Sequence, residues 1–169
     1  LVIARFEPEN HIEEIVTAYE KNTDNILVLV ANENTRHYKK LSNRIQNAQN
    51  IIFNGPIYNK EELAYLKTNC RYYIHGHSVG GTNPSLLEAL AAGCTILCHN
   101  NEFNMDVILK YGFSWNSSIE LQLLLKSNLV PSKSKEDQIN YTKQRFSWTL
   151  IAEKHLQLFN AINLGHRLL

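Results

Sequence analysis

Residues 75–93 read HGHSVGGTNPSLLEALAAG. Two histidines alternate at the end of an apolar run, two glycines follow, and Asn83-Pro84 opens a leucine- and alanine-rich segment carrying one acid, Glu88. Asparagine accepts from first-turn amides, and proline at the first helical position gives up an N–H that would have no partner, so the pair marks a helix start. Gly80 and Gly81 carry no Cβ and tolerate positive φ, so a ligand can come close to backbone N–H groups at the positive end of the helix dipole. Strand, bare turn and helix N-terminus in succession suit an anion, and phosphate is the natural guest. A well-capped glycine turn without a ligand is the alternative.

The rest of the chain repeats this alternation. LVIARF (1–6), ILVLVA (26–31), IIFNG (51–55), RYYIHG (71–76) and TILCH (95–99) read as strands. Between them HIEEIVTAYEK, TRHYKKLSNRIQ, KEELAYLKTN and PSLLEALAAG read as helices. Apolar strands joined by crossover helices imply a parallel sheet covered on both faces with right-handed connections. The expected class is α/β, a doubly wound Rossmann-like sheet of about six strands with helices on both faces. After the fifth strand the pattern weakens through NEFNMDVILKYG and a short FSW, then runs through SSIELQLLLKS and a polar PSKSKEDQ to a final helix from about Trp148 to Asn163. Leu150, Ile151, His155, Leu158, Phe159 and Ile162 form a stripe on that helix expected to pack back onto the domain.

At 169 residues, 44% hydrophobic and 20% charged, the chain is long enough for one well-packed core, and a single domain is expected over 1–169. A net charge of +1 gives no general attraction to nucleic acid or membrane, so a bound anion must be held by local geometry. The basic cluster TRHYKKLSNR lies in a helical pattern and reads as a solvated face; no nucleic-acid partner is expected. Tyr72, Tyr73, Trp115 and Trp148 read as core and edge packing. Cys70, Cys94 and Cys98 make an odd count without disulfide spacing, which fits a reducing compartment, the cytoplasm by default. The longest apolar run, residues 26–31, is far short of the ~20 residues a spanning helix needs. The chain opens on a strand and its single methionine is Met105, so a piece of a longer protein is expected.

The glycine stretch is neither a G-x-G-x-x-G fingerprint nor a P-loop, which would place Lys and Ser/Thr after the last glycine. Glu88 sits in a helix apolar nearly all round, where a carboxylate is costly unless donors meet it; sugar hydroxyls would serve, and so would an Arg or Lys of the fold. In the strand order 3-2-1-4-5-6, strands one and four lie side by side at the switch point where ligands bind, so Arg5 and the helix start at Asn83 should converge on one crevice. Arg5 as an ordinary surface ion-pair partner of Glu7 or Glu9 is the alternative. His75, His77, Cys94, Cys98 and His99 raise the question of zinc, but a C-x3-C step within a strand is unlike known ligand pairs, and no metal is expected. His75 or His77 reads as a contact to sugar or phosphate, with a buried, hydrogen-bonded histidine as the alternative.

ARFEPENHIEEIVTAY, IIFNGPIYNKEELAYLKTNCRYYIHG, GGTNPSLLEALAAGCTIL and RFSWTLIAEKHLQLF, in that order and spacing, resemble the C-terminal half of retaining GT-B glycosyltransferases, with particular likeness to bacterial rhamnosyltransferase-type enzymes of surface polysaccharide synthesis. The resemblance implies a donor-binding domain without organic cofactor or metal, whose donor is a nucleoside-diphosphate sugar. A separate N-terminal half would bring the saccharide or lipid-linked saccharide acceptor, in the cytoplasm or at the inner face of the membrane. Arg5 would contact the diphosphate, Glu88 the ribose, and the backbone around Gly81, Thr82 and Asn83 the distal phosphate or sugar. The loop at Pro56, Ile57 and Tyr58 would hold the base.

Two positions depart from the family pattern: Asn10 stands where a diphosphate-binding lysine is usual, and Gly80 where the first glutamate of an E-x7-E pair is usual. The candidate site therefore comprises Arg5 and His77 as catalytic groups, with Asn10, Ile57, Tyr58, His75, Gly80, Gly81, Thr82, Asn83, Ser85 and Glu88 as donor contacts beside Arg5. The two departures keep open a non-catalytic nucleotide-sugar-binding module, and the shared architecture keeps open half of a UDP-sugar 2-epimerase.

Overall fold

The computed structural model describes residues 1–21 and 25–163. Six parallel strands, β1 (Val2–Ile3), β2 (Leu27–Val30), β3 (Ile51–Phe53), β4 (Tyr73–His75), β5 (Ile96–His99) and β6 (Gly112–Trp115), form two three-stranded sheets ordered β1-β2-β3 and β4-β5-β6. The β1 and β4 edges adjoin. The Ile74 amide donates to the Leu1 carbonyl at 2.9 Å and the Leu1 nitrogen to the Tyr72 carbonyl at 2.9 Å, giving the spatial order 3-2-1-4-5-6.

Between the strands run α1 (Ile12–Glu20), α2 (Arg36–Asn47), α3 (Lys60–Asn69), α4 (Pro84–Ala91) and α5 (Glu102–Ile108); α6 (Ser118–Lys126), α7 (Lys135–Phe146) and α8 (Trp148–Asn163) follow β6. Side chains fix where these helices begin. Thr35, Asn59, Asn83, Asn101, Ser117 and Ser134 each accept from a first-turn amide of α2 to α7 in turn, satisfying donors that would otherwise lack partners. None of the described helices is long and apolar enough to cross a membrane.

Successive strand residues feed opposite cores. Val2, Leu27, Leu29, Ile74, Leu97 and Trp115 pack with Ile12, Ile15, Leu121 and Leu125 on one face. Leu1, Val30, Tyr73, Ile96 and Cys98 pack with Leu86, Ala89 and Leu90 of α4 on the other. Both cores cross the seam between β1 and β4, so the strands read as unbroken apolar runs.

Three expectations need correction. The stretch read as polar from Pro131 to Gln138 enters helix α7, whose Gln138 is buried and donates from Nε2 to the carbonyls of Leu90 and Cys94 at 3.1 and 3.0 Å. This helix docks through amide hydrogen bonds, so apolar periodicity does not report it. The stripe on α8 does not pack back: Leu150 and Ile151 are half-buried, but His155, Leu158, Phe159 and Ile162 are exposed. Trp148 is exposed as well, while Tyr72, Tyr73 and Trp115 are buried as read.

Candidate functional site

A cleft of about 550 Å³ opens at the C-terminal ends of β1 and β4. Four loops build it. The loop after β1 contributes Arg5 and Asn10, the loop after β3 contributes Pro56, Ile57 and Tyr58, and the end of β4 with its following turn contributes His75, His77, Asn83 and Ser85. Asn32, Asn34 and Thr35, which follow β2, complete the wall. They were not among the candidates, although polar residues just past an apolar strand run are the available signal.

Arg5 is exposed and its guanidinium makes no ion pair among the described residues; neither Glu7 nor Glu9 pairs with it. Opposite stands the start of α4, where Asn83 Oδ1 accepts from the Ser85 amide at 3.0 Å and the Ser85 hydroxyl at 2.8 Å. Gly80, with φ of 77°, and Gly81 have no heavy atom within 4 Å of where a Cβ would lie, so the turn presents open backbone. Gly80, Gly81 and Thr82 are exposed and stand outside the cleft wall.

Glu88 is placed differently from the buried acid expected. Its side chain is 60% exposed and its Oε2 accepts a hydrogen bond from Lys67 Nζ, whose side chain is 8% exposed. Leu86, Ala89 and Leu90 turn inward from α4 while Glu88 and Ala91 face out, so the apolar composition overstated the burial of the helix. Glu88 lines a second groove with Thr82, Leu87, Phe146 and Trp148. The partner is a lysine of α3, 21 residues upstream.

The loop after β1 and the turn after β4 are locked together. Asn10, 6% exposed, donates from Nδ2 to the Arg5 carbonyl at 2.9 Å, and its Oδ1 meets His77 Nδ1 at 2.9 Å. Ser78 donates through its amide and its hydroxyl to the Glu9 carbonyl at 2.9 and 3.2 Å. Between them Gly76 lies flat against the Asn10 carbonyl, with no space for a Cβ. From the far side, Asn101 and Asn104 donate to the His77 carbonyl at 3.1 and 2.8 Å.

His75 is 4% exposed and its Nε2 has no hydrogen-bond partner among the described residues. Burial, with a smaller contribution from the charge of His77, pushes its imidazole down to about 3, so it is neutral across the physiological range. A second imidazole pair, His11 and His99, stacks at 4.0 Å beside Trp115. Among the described residues no three His, Cys, Asp or Glu side chains are grouped to hold a metal ion.

Known proteins resemble this chain in sequence or in fold. An uncharacterized glycosyltransferase of Methanocaldococcus jannaschii is 24% identical over 166 residues, covering 89% of this chain and 42% of its own length. The Anabaena HepE protein, solved in complex with UDP, superposes with a TM-score of 0.79 at 16% identity over 95% of this chain and 48% of its own. The C-terminal domain of the group 1 glycosyl transferase LpcC from Francisella tularensis superposes with a TM-score of 0.70 at 17% identity, over 87% of this chain and 85% of that domain. The chain thus spans less than half of the first two and most of the third. Residues 1–145 of the 169 match the family described as glycosyl transferases group 1, and the chain belongs to that family.

Proposed function

We propose that the chain is the donor-binding half of a retaining glycosyltransferase that moves a hexosyl or deoxyhexosyl group, rhamnosyl among the candidates, from a nucleoside diphosphate to a saccharide acceptor in surface polysaccharide synthesis. One observation carries this reading: the guanidinium of Arg5, without an ion pair among the described residues, and the capped start of α4 at Asn83 border the same cleft. Both suit a diphosphate, the first through charge-assisted hydrogen bonds and the second through amides at a helix N-terminus. As the sugar–phosphate bond breaks, these groups would stabilise the charge that develops on the departing diphosphate. Retaining transfer on one face of the sugar can use the leaving phosphate as base, and the chain supplies no acid from Cys70 to Leu87.

Ile57 and Tyr58 would hold the base, the turn at Gly80 to Thr82 the distal phosphate or sugar, and His75 and His77 the sugar. Glu88 would reach the ribose with the oxygen that Lys67 does not occupy. An acceptor-binding half, with a saccharide or lipid-linked saccharide acceptor, would complete the enzyme. The Anabaena relative was solved with UDP-glucose as well as UDP, which favours a nucleotide sugar as the guest.

The test is a thermal-shift panel of UDP, dTDP, GDP and ADP with their sugars, followed by calorimetry on Arg5→Ala. A stabilising shift with at least one nucleotide, and at least tenfold weaker binding in the variant, is expected if Arg5 makes a charge-assisted contact of about 1.5–3 kcal/mol. No shift with any of them would defeat the donor-site reading, and unchanged affinity would remove Arg5 from the site.

A further inference from the structure

Asn10 and His77 both line the cleft, taken on the footing that it is a nucleotide-sugar site. We propose that Asn10 is a positioning residue that holds His77 with its proton on Nδ1, presenting a bare Nε2 to the cleft as acceptor for a hydroxyl of the donor sugar.

The tautomer follows from the amide's orientation. Asn10 Nδ2 donates to the Arg5 carbonyl at 2.9 Å; the reversed amide would set oxygen against oxygen there. Oδ1 must therefore face His77 Nδ1, at 2.9 Å. An acceptor at that position requires the ring proton to be on Nδ1, and a neutral imidazole has only one, so Nε2 carries a lone pair. Asn10 is buried, which keeps water from competing for either bond. The His77 main chain is held as tightly, by Asn101 and Asn104 on its carbonyl and by the bonds from Ser78 to Glu9 beside it. A ring fixed from so many directions is preorganised, the condition for a contact that discriminates between ligands.

The chemistry then divides the cleft. Arg5 and the backbone amides are donors and match phosphate oxygens. A bare imidazole nitrogen is an acceptor, which repels phosphate oxygen and pairs with hydroxyl. His75, with its ring 6.1 Å from that of His77, lines the same end of the cleft. The asparagine standing where the family's lysine is usual thus contributes indirectly: it sets the proton of a neighbour and leaves the diphosphate to Arg5.

The test has two independent readouts on the 169-residue chain. Long-range proton–nitrogen NMR of the imidazole rings, with His77 identified by its loss in His77→Gln, should show the His77 proton on Nδ1. Asn10→Ala removes the acceptor and should release the ring to a mixture. A proton on Nε2 in the unmodified chain, which requires no variant to fold, overturns the proposal; so does an unchanged tautomer in Asn10→Ala. Calorimetry with UDP and UDP-glucose supplies the second readout. Asn10→Ala and His77→Phe should bind UDP-glucose about fivefold to tenfold more weakly and UDP within about twofold of the unmodified chain, the scale of one hydrogen bond. Equal loss for both ligands would overturn the sugar assignment. An unmodified chain that binds neither would overturn the donor-site reading while leaving the tautomer result standing.

Discussion

Replacing Gly76 by alanine tests the junction on which the cleft rests. The new Cβ would collide with the Asn10 carbonyl oxygen, lie 2.8 Å from the Asn10 carbonyl carbon and 3.3 Å from Ile15 Cδ1. Carbon atoms pack at about 3.5–4.0 Å, so the loop after β1 must retreat by about 1 Å, and the obstacle is backbone that no side-chain rotation relieves. That retreat strains the bonds between the loops: Asn10 to Arg5, Asn10 to His77, and both bonds from Ser78 to Glu9. At about 1 kcal/mol each the loss approaches 3–4 kcal/mol. Alanine returns about 0.4–1 kcal/mol by restricting the unfolded chain, leaving a net cost of about 2–3 kcal/mol, within the range for overpacking. For a chain of this size that is a fall in Tm of about 5–10 °C. Chemical denaturation with unchanged m, alongside a calorimetric melt, measures it. Gly81→Ala is the control, because its φ is not positive and nothing lies within 4 Å of a Cβ there; its stability should stay within about 0.5 kcal/mol. Gly76→Ala melting with Gly81→Ala would refute the reasoning.

Other perturbations have equally definite outcomes. Since burial holds His75 near 3 against an ordinary 6.5, the unfolded chain binds more protons between those values; the stability present above about 6.5 is lost progressively as pH falls towards 3, by up to about 1.4 kcal/mol per pH unit, and His75→Gln should flatten that slope in denaturation curves. Glu88→Ala strips a buried Lys67 of its carboxylate and should cost about 1–3 kcal/mol in denaturant titration, with the double variant carrying Lys67→Met recovering most of it; a neutral Glu88→Ala would show that the pair does not form in solution. Phe159→Ser on α8, at a side 56% exposed, should change stability by no more than about 0.5 kcal/mol, and a larger loss would mean that the stripe is packed after all. At neutral pH iodoacetamide should modify Cys70 alone, as read by peptide mass spectrometry: its thiol is half-buried and lowered to about 7 by hydrogen bonding with Cys94, whereas Cys94 and Cys98 are buried and pushed up.

The alternation of apolar runs with capped helices was legible because each signal is local. ILVLVA must be covered on both faces, and Asn83-Pro84 must start a helix, whatever surrounds them. The strand order then carried Arg5 to the foot of α4, and the cleft lies there. What was not legible depends on distant partners. Nothing in KEELAYLKTN marks Lys67 as the residue that would hold Glu88, and nothing near Asn10 shows that its amide would be spent on Arg5 and His77. Helix α7 escaped because buried glutamine and threonine seat it, and α8 misled because an apolar stripe states what a helix could cover and not what it covers.

The two cores have a consequence for how the strands find their alignment. In a sheet with one wet face, sliding a strand by one residue throws its grease into water and is punished at once. Here a slipped β4 would merely trade Tyr73 and Ile74 between two oily layers, so hydrophobicity is a poor ruler. Gly76 supplies the missing index mark. Only a residue without a side chain fits beneath the Asn10 carbonyl, and a one-step error would force His75 or His77 into that gap. The same atom-sized vacancy that lets the two loops touch would therefore proofread the strand's frame during folding.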